Sequence, residues 1–473
     1  MEYLLYFFLG ACSFAYVILY RFIKGKNCPP LPPGTMGWPL IGETLELQRL
    51  NQSGKPDEFF YRRIRKFNQN IFKTSILGEK TIILCGAAGN KFIFTSEKSL
   101  VLTWWPDSLK KLFGTSFFTA PYDEAIRTRR MVMAFLQQEV IHTLVERFDK
   151  TCRKCLQRDW IGNSKVKAFS LIKKYAFSLA CEMFTSVDDP NWEKRILEEF
   201  NILLKGVFQL PIYFPGTRHY KAVQSADFIR KELIQVIERK RIKTDSKERH
   251  EKDLISYLID AQDENGSSLS NIEVADNIIL LMDSGHDTSS STMMMLMKFL
   301  AENPHCYEKV LQEQKEIALQ KKPGELLNKG DIQKMRYSWN VIREVLRLTP
   351  PLGGTFRKAK VDFTYDGYLV PKGWMVSWGV ASTHKIAKYF PDPLKFDPMR
   401  FDRDTITPHS FVPFGGGPRM CPGKEFARIE MLVFLHNLVC EFEWELEFPD
   451  EMISVDPMPI SPKGLPVYLY PLK

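Results

Sequence analysis

One cysteine stands behind three glycines and an arginine in the stretch FGGGPRMCPGKEFARIEML, residues 414–432. No second sulfur or nitrogen ligand accompanies Cys421, so neither a disulfide nor a zinc site accounts for it. A helical pattern follows from Lys424, which puts the sulfur at a helix start, where free N–H groups and the dipole favour an anion. A second cluster is DSGHDTSSST, residues 283–292, a polar island between IILLM and MMMLM. Buried polar groups are costly unless partnered, so this island is either a packing network or a reaction site. A third is Glu344 with Arg347, three residues apart on one helical face. Taken alone, such a pair is usually a surface ion pair of little energetic value.

These groups need elements to hold them. The polar island lies midway along the longest helix expected, which opens on a capping box of Ser270 and Glu273 and runs to Pro304. That length is roughly 50 Å, enough to cross a domain. Its middle is apolar nearly all round, so the helix should be buried. A second helix is expected over 332–348, stopped by Pro350 and Pro351, and a third from Lys424 to about Val439. NIFKTSILGEKTIILCG reads as a hairpin about Gly78, and DFTYDGYLVPKGWMVSWG as short strands. Helical patterns dominate from Glu124 to Glu316, with the charge-dense residues 239–253 as a solvated connector. The expected fold is mainly α with a small β portion.

Composition narrows the class. Of 473 residues, 44% are hydrophobic and 26% charged, as in an ordinary globular protein. A net charge of +9, dispersed among acids, argues against nucleic-acid binding and suits an acidic partner or an anionic membrane surface. Nine scattered cysteines form no disulfide framework, which suits a reducing compartment. Residues 3–20 carry no charge and are followed at once by Arg21, Lys24 and Lys26. Eighteen helical residues span about 27 Å, enough for a thin bilayer, and the basic flank keeps the remainder of the chain cytosolic. The expected layout is a transmembrane signal anchor over 1–26, a proline-rich hinge over 27–36 (PPLPPG at its centre), and one catalytic domain over 37–473. The anchor implies a single-pass protein of the endoplasmic reticulum membrane.

Four signatures in one order carry a resemblance: SGHDTS (284–289), EVLR (344–347), PMRF (398–401) and FGGGPRMCPG (414–423). They resemble the cytochrome P450 family, the haem-thiolate monooxygenases, from the hinge to the C-terminus. The resemblance implies that Cys421 binds the iron of haem b as a thiolate, in a loop marked by Phe414, Gly417 and Gly423. Gly415, Gly416 and Gly417 would let backbone pass close beneath the macrocycle. Arg419, Arg357 and Arg129 match propionate-binding positions, although Ala125 stands where the family commonly has Trp, so one propionate contact is expected to be absent. Asp287 and Thr288 match the pair that relays protons to bound oxygen, and Gly285 makes room for it; Ser284 replaces the family's more usual Ala or Gly. Glu344, Arg347 and Arg400 match a buried network that orders the cysteine loop. Met399 stands where the family usually has Glu. Electrons would come from NADPH through a separate reductase, because the chain has no flavin- or nicotinamide-binding glycine motif. Arg127, Arg130, Lys424 and Arg428 are the candidate docking residues.

Several phrases, among them LTWWPDSLKKLFG and LPPGTMGWPLIGETLEL, are similar to plant oxidases of pentacyclic triterpenes, the β-amyrin 28-oxidases above all. Taxane hydroxylases come next, and a taxane-type diterpenoid or sterol hydroxylase is the alternative. A large apolar substrate suits an apolar pocket. Candidate walls are Trp104, Trp105, Phe113, Phe117, Phe118, Met282, Ser284, Gly285, Leu352, Gly353 and Gly354, with ordinary core as the competing explanation for the aromatics. Three rivals stand beside the oxygenase: a peroxide-rearranging haem-thiolate protein, a haem carrier or sensor without turnover, and a metal site using CRKC, Cys152 to Cys155.

Overall fold

The computed structural model describes residues 29–207, 212–245, 253–402 and 406–472; the expected anchor lies outside them. Among the described residues no helix is long and apolar enough to cross a membrane.

The long helix Asn271–Glu302 is the axis of the molecule. The capping box forms as expected, with Ser270 accepting from the Glu273 N–H and Glu273 returning a bond to the Ser270 N–H. Around it pack helices Ala168–Thr185, Arg218–Asp245, Arg336–Leu348 and Lys424–Glu441. Their apolar faces form one continuous core, which includes Phe177, Met293, Val341 and Leu432. A five-stranded sheet sits to one side, in the order Ile71–Ile76, Glu79–Leu84, Met375–Gly379, Gly354–Ala359, Val101–Thr103. Its first hairpin turns on Leu77 and Gly78, both at positive φ (54° and 78°), the geometry of a two-residue type I′ turn. Smaller pairings, such as Phe442–Leu446 with Pro466–Pro471, close the C-terminus. The fold is mainly helical with a small sheet portion.

Local expectations needed revision in two places, the helix expected over 332–348 and the charged connector. The helix expected over 332–348 breaks at Met335 into Lys329–Lys334 and Arg336–Leu348. The Glu313 carboxylate accepts from the N–H groups of Tyr337 and Ser338 (2.7 and 2.9 Å), capping the second helix from a neighbouring element, which periodicity does not report. The charged connector begins as helix, because Arg218–Asp245 runs through its first half. Cys152 and Cys155 are buried along helix Val145–Asp159, burial pushes both thiols up, and no metal-holding cluster occurs among the described residues. The proline-rich segment makes two backbone contacts with the body. The carbonyls of Pro30 and Pro33 accept from Leu369 and Lys73 N–H (2.9 Å each), so its described part is fastened to the body.

Candidate active site

The cysteine loop is shaped by what presses on it. Gly415 and Gly417 take left-handed φ values of 70° and 66°. A Cβ at Gly416 would meet the Phe94 ring at 2.5 Å, and one at Gly417 the Phe94 carbonyl oxygen at 2.3 Å. Two of the three glycines are therefore required by the helix Gly86–Thr95 rather than by a cofactor. Beyond them the Cys421 N–H donates to the Phe414 carbonyl (2.9 Å), and Gly423 caps helix Lys424–Glu441. Cys421 lies deep in the molecule yet keeps accessible surface, as a residue on the wall of an internal space does. Burial pushes its thiol up, opposed by the Gly423 N–H and the charges of Arg129 and Lys424. The helix start alone does not depress this thiol as expected; thiolate formation is coupled to metal ligation, which deprotonates a coordinating thiol outright.

The polar island divides into two halves. Ser290 bonds the His286 carbonyl, Ser291 the Pro459 carbonyl (2.7 Å) and Thr292 the Thr288 carbonyl (3.0 Å), a packing network. The other half is open. Ser284 is exposed and Asp283, Gly285, Asp287 and Thr288 are half-buried, midway along a helix whose flanks are buried. A Cβ at Gly285 would meet nothing within 4 Å, and the same holds at Gly423. Thr288 donates to the Ser284 carbonyl. Asp287 pairs with Lys173 of helix Ala168–Thr185 (2.8 Å) and with His286 Nδ1 (3.2 Å). Burial opposes its ionisation, but His286 and Lys173 prevail and hold the carboxyl at about 2. His286, to which the sequence assigned no role, thus touches the acid. Asp283 has no comparable partner, and burial with the Asp287 charge pushes it well above the usual carboxylate range.

The arginines converge on a residue that sequence reasoning missed. Glu97, 3% exposed, accepts from Arg357 Nε (2.7 Å) and lies 3.6 Å from Arg419 Nε. The N–H and hydroxyl of Thr103 also donate to it (3.2 and 3.0 Å). A lone glutamate in a loop carries no motif. The antiparallel register pairing Thr103 with Arg357 is what brings it here. Arg129 donates to the Met420 carbonyl one residue before Cys421. Ala125 is buried in the helix that carries Arg129, one turn before it.

The expected network assembles. Glu344 binds Arg347 through both oxygens (2.8 Å each) and Arg400 at 3.0 Å, all three buried. The two guanidiniums donate onward to the carbonyls of His384, Pro391, Pro393 and Lys395, and the Asp397 N–H donates to Glu344 (2.9 Å). His384 carries the chain of contacts to the cysteine loop, its Nε2 accepting from Val412 N–H (3.0 Å).

The pocket candidates separate. Trp104, Trp105 and Phe118 are half-buried, with Trp105 stacked on Phe118 at 3.9 Å, while Leu352 and Gly353 are exposed. Phe113, Phe117 and Met282 are instead core residues, 1%, 5% and 0% exposed, because helix packing claims their faces. Of the four basic docking candidates, Arg127 pairs with Asp263 (2.6 Å), Arg130 with Glu264 and Arg428 with Glu425 (2.9 Å), which leaves Lys424 as the exposed cation nearest the sulfur in sequence.

An unpaired thiol, open space above two glycines and three arginines near the thiol and Glu97 fit a flat, dianionic macrocycle. Residues 32–465 match the cytochrome P450 family. The chain is 46% identical to the β-amyrin 28-monooxygenase of Vitis vinifera, over 97% of its own length and 96% of that protein. It is 47% identical to the enzyme of the same name from Panax ginseng, over 94% and 92%. A retinoic-acid-bound cyanobacterial CYP120A1 superposes with a TM-score of 0.84 at 32% identity, covering 94% of this chain and all of that one. Fold, thiolate loop and relatives agree, and the chain belongs to the cytochrome P450 family, as a haem-thiolate monooxygenase that draws electrons from a redox partner.

Proposed function

We propose that this enzyme oxidises a pentacyclic triterpene of the β-amyrin type, at the C-28 methyl, to the alcohol and onward to the aldehyde and acid. The observation that carries this is the 46% identity, across nearly the whole chain, to enzymes named for that reaction. Bound haem, with a thiolate behind the iron, supplies the activation of O2 and the insertion of one oxygen atom into a C–H bond. The residues of the chain do the rest. Cys421 would provide the sulfur; Arg419, Arg357 and Arg129 would hold the propionates, with Glu97 keeping the first two in place. Thr288 would hold a proton at Oγ1, replenished through Asp287, whose half-buried carboxylate is paired with Lys173. Half-buried Trp105 and Phe118 would wall the substrate and exclude water.

The electron donor in this proposal is an NADPH-dependent flavoprotein reductase docking near Lys424. Residues 1–26 would anchor the enzyme in the endoplasmic reticulum membrane. Exposed Trp38, Leu40 and Leu77 lie close to where the chain would leave it. The test is expression in yeast with a plant reductase and a β-amyrin synthase. C-28-oxidised product is expected, together with a reduced-CO band near 450 nm that Cys421→Ser abolishes. Absence of oxidised triterpene from several cyclised scaffolds, with that band intact, would refute the substrate.

A further inference from the structure

In the open half of the polar island, Asp283 is a carboxyl with no cation beside it among the described residues. Asp283 lies deep in the molecule, keeps accessible surface, and its Oδ1 accepts no hydrogen bond. Leu280 and Met282 before it are buried, whereas Ser284, Gly285 and Thr288 after it border open space. Helical spacing sets 283, 284, 287 and 288 along one face. The carboxylate of Asp287 is engaged by Lys173 and His286; Asp283 has neither. Burial and the Asp287 charge push its acid well above the usual carboxylate range, which favours the protonated form, and that form has one donor and one acceptor for whatever enters. A buried polar group left unpaired is destabilising, and a partner on the ligand would relieve it.

We propose that Asp283 is a substrate-recognition residue that hydrogen-bonds an oxygen the substrate already carries. The inference rests on the triterpenoid reading above and narrows it. Five helical residues separate Asp283 from Thr288, about 7.5 Å along the axis. The recognised hydroxyl or carbonyl therefore belongs to the same end of the polycycle as the carbon attacked. A prior oxygenation at that end must supply such a substrate, and the alcohol from a first oxidation meets the requirement. A site built to bond a hydroxyl discriminates against the analogue without one.

The test uses the full-length holoenzyme and follows the Soret shift during titration with β-amyrin and with its 28-hydroxy derivative. The wild type should bind the alcohol about tenfold tighter or more, as one relieved polar group implies. Asp283→Leu should bring that ratio near one, and Asp283→Asn, which still donates and accepts, should preserve most of it. Asp283→Ala takes the place of the leucine variant should the latter fail to hold haem. A wild-type ratio near one, or a ratio that the Leu or Ala variant leaves unchanged, overturns this inference alone. If neither compound shifts the wild-type Soret band while the CO band is intact, the triterpenoid reading fails and this inference with it.

Discussion

Asp287, half-buried, and Glu97, whose side chain is buried, are both carboxylates held by cations, yet they stand in different relations to the chemistry. Asp287 reaches the open face of the long helix, so its charge can serve proton transfer beside Thr288. Asp287→Asn should lower product formation about 10²-fold, the lower end for a lost acid–base group, while leaving the CO band and substrate affinity in place. Coupled turnover assays with binding titrations check this. Glu97 faces the arginines instead, and its replacement should act on the cofactor. With Glu97→Gln, Arg357 and Arg419 lose the anion that fixes them. Haem transfer to apomyoglobin should then run severalfold faster. Removing a nearby negative charge should also move the reduction potential in the positive direction. Unchanged haem loss and potential would show that Glu97 only fills space.

At the scale of elements, the cysteine loop depends on a helix that never touches the sulfur. Arg336–Leu348 supplies Glu344 and Arg347, the 3-10 turn Pro398–Phe401 supplies Arg400, and together they tie down the carbonyls of 384–395. Removing one partner leaves a buried charge uncompensated, a loss of about 3–5 kcal/mol. Glu344→Ala should lower the denaturant midpoint accordingly and reduce the haem content of purified protein. A drop under about 1 kcal/mol would match an exposed pair and would contradict the buried geometry.

Across the whole molecule, stability should depend on pH in an unusual direction. Burial, with the Arg347 charge, holds His384 at about 3, and burial holds His436 at about 4, both below the ordinary 6.5. Each contributes stability that is fully present above pH 6.5 and declines as pH falls towards those values. Burial raises Glu430 to about 8 and Asp283 well above its ordinary value. Those contributions are fully present below about pH 4 and are lost as pH rises through the folded values. Between pH 4.5 and 6.5 the two sets oppose one another. From 6.5 to 8 the histidines no longer act, and Glu430 acts by up to about 1.4 kcal/mol per pH unit. The melting temperature should therefore fall from pH 6.5 to 8, and Glu430→Gln should reduce that fall; an unaltered slope would mean that Glu430 is ionised in the fold.

The Glu344–Arg347–Arg400 set, which spans 56 residues, was legible only through the family resemblance. Local pattern was enough for the long capped helix, the hairpin about Gly78 and the helix behind Cys421. Each rests on local periodicity, turn chemistry or short-range spacing. Glu97, the His384 link and the break at Met335 depended on contacts that span 260, 28 and 24–25 residues of chain, which only strand register and helix packing bring near. The same limit explains the pocket. Sequence marked Phe113, Phe117 and Met282 as wall because they are apolar, and tertiary packing buried them, whereas Asp283 is half-buried and Ser284 exposed. Local order is written in neighbouring residues; which face of a buried helix meets an open space is decided by what the rest of the chain places against it.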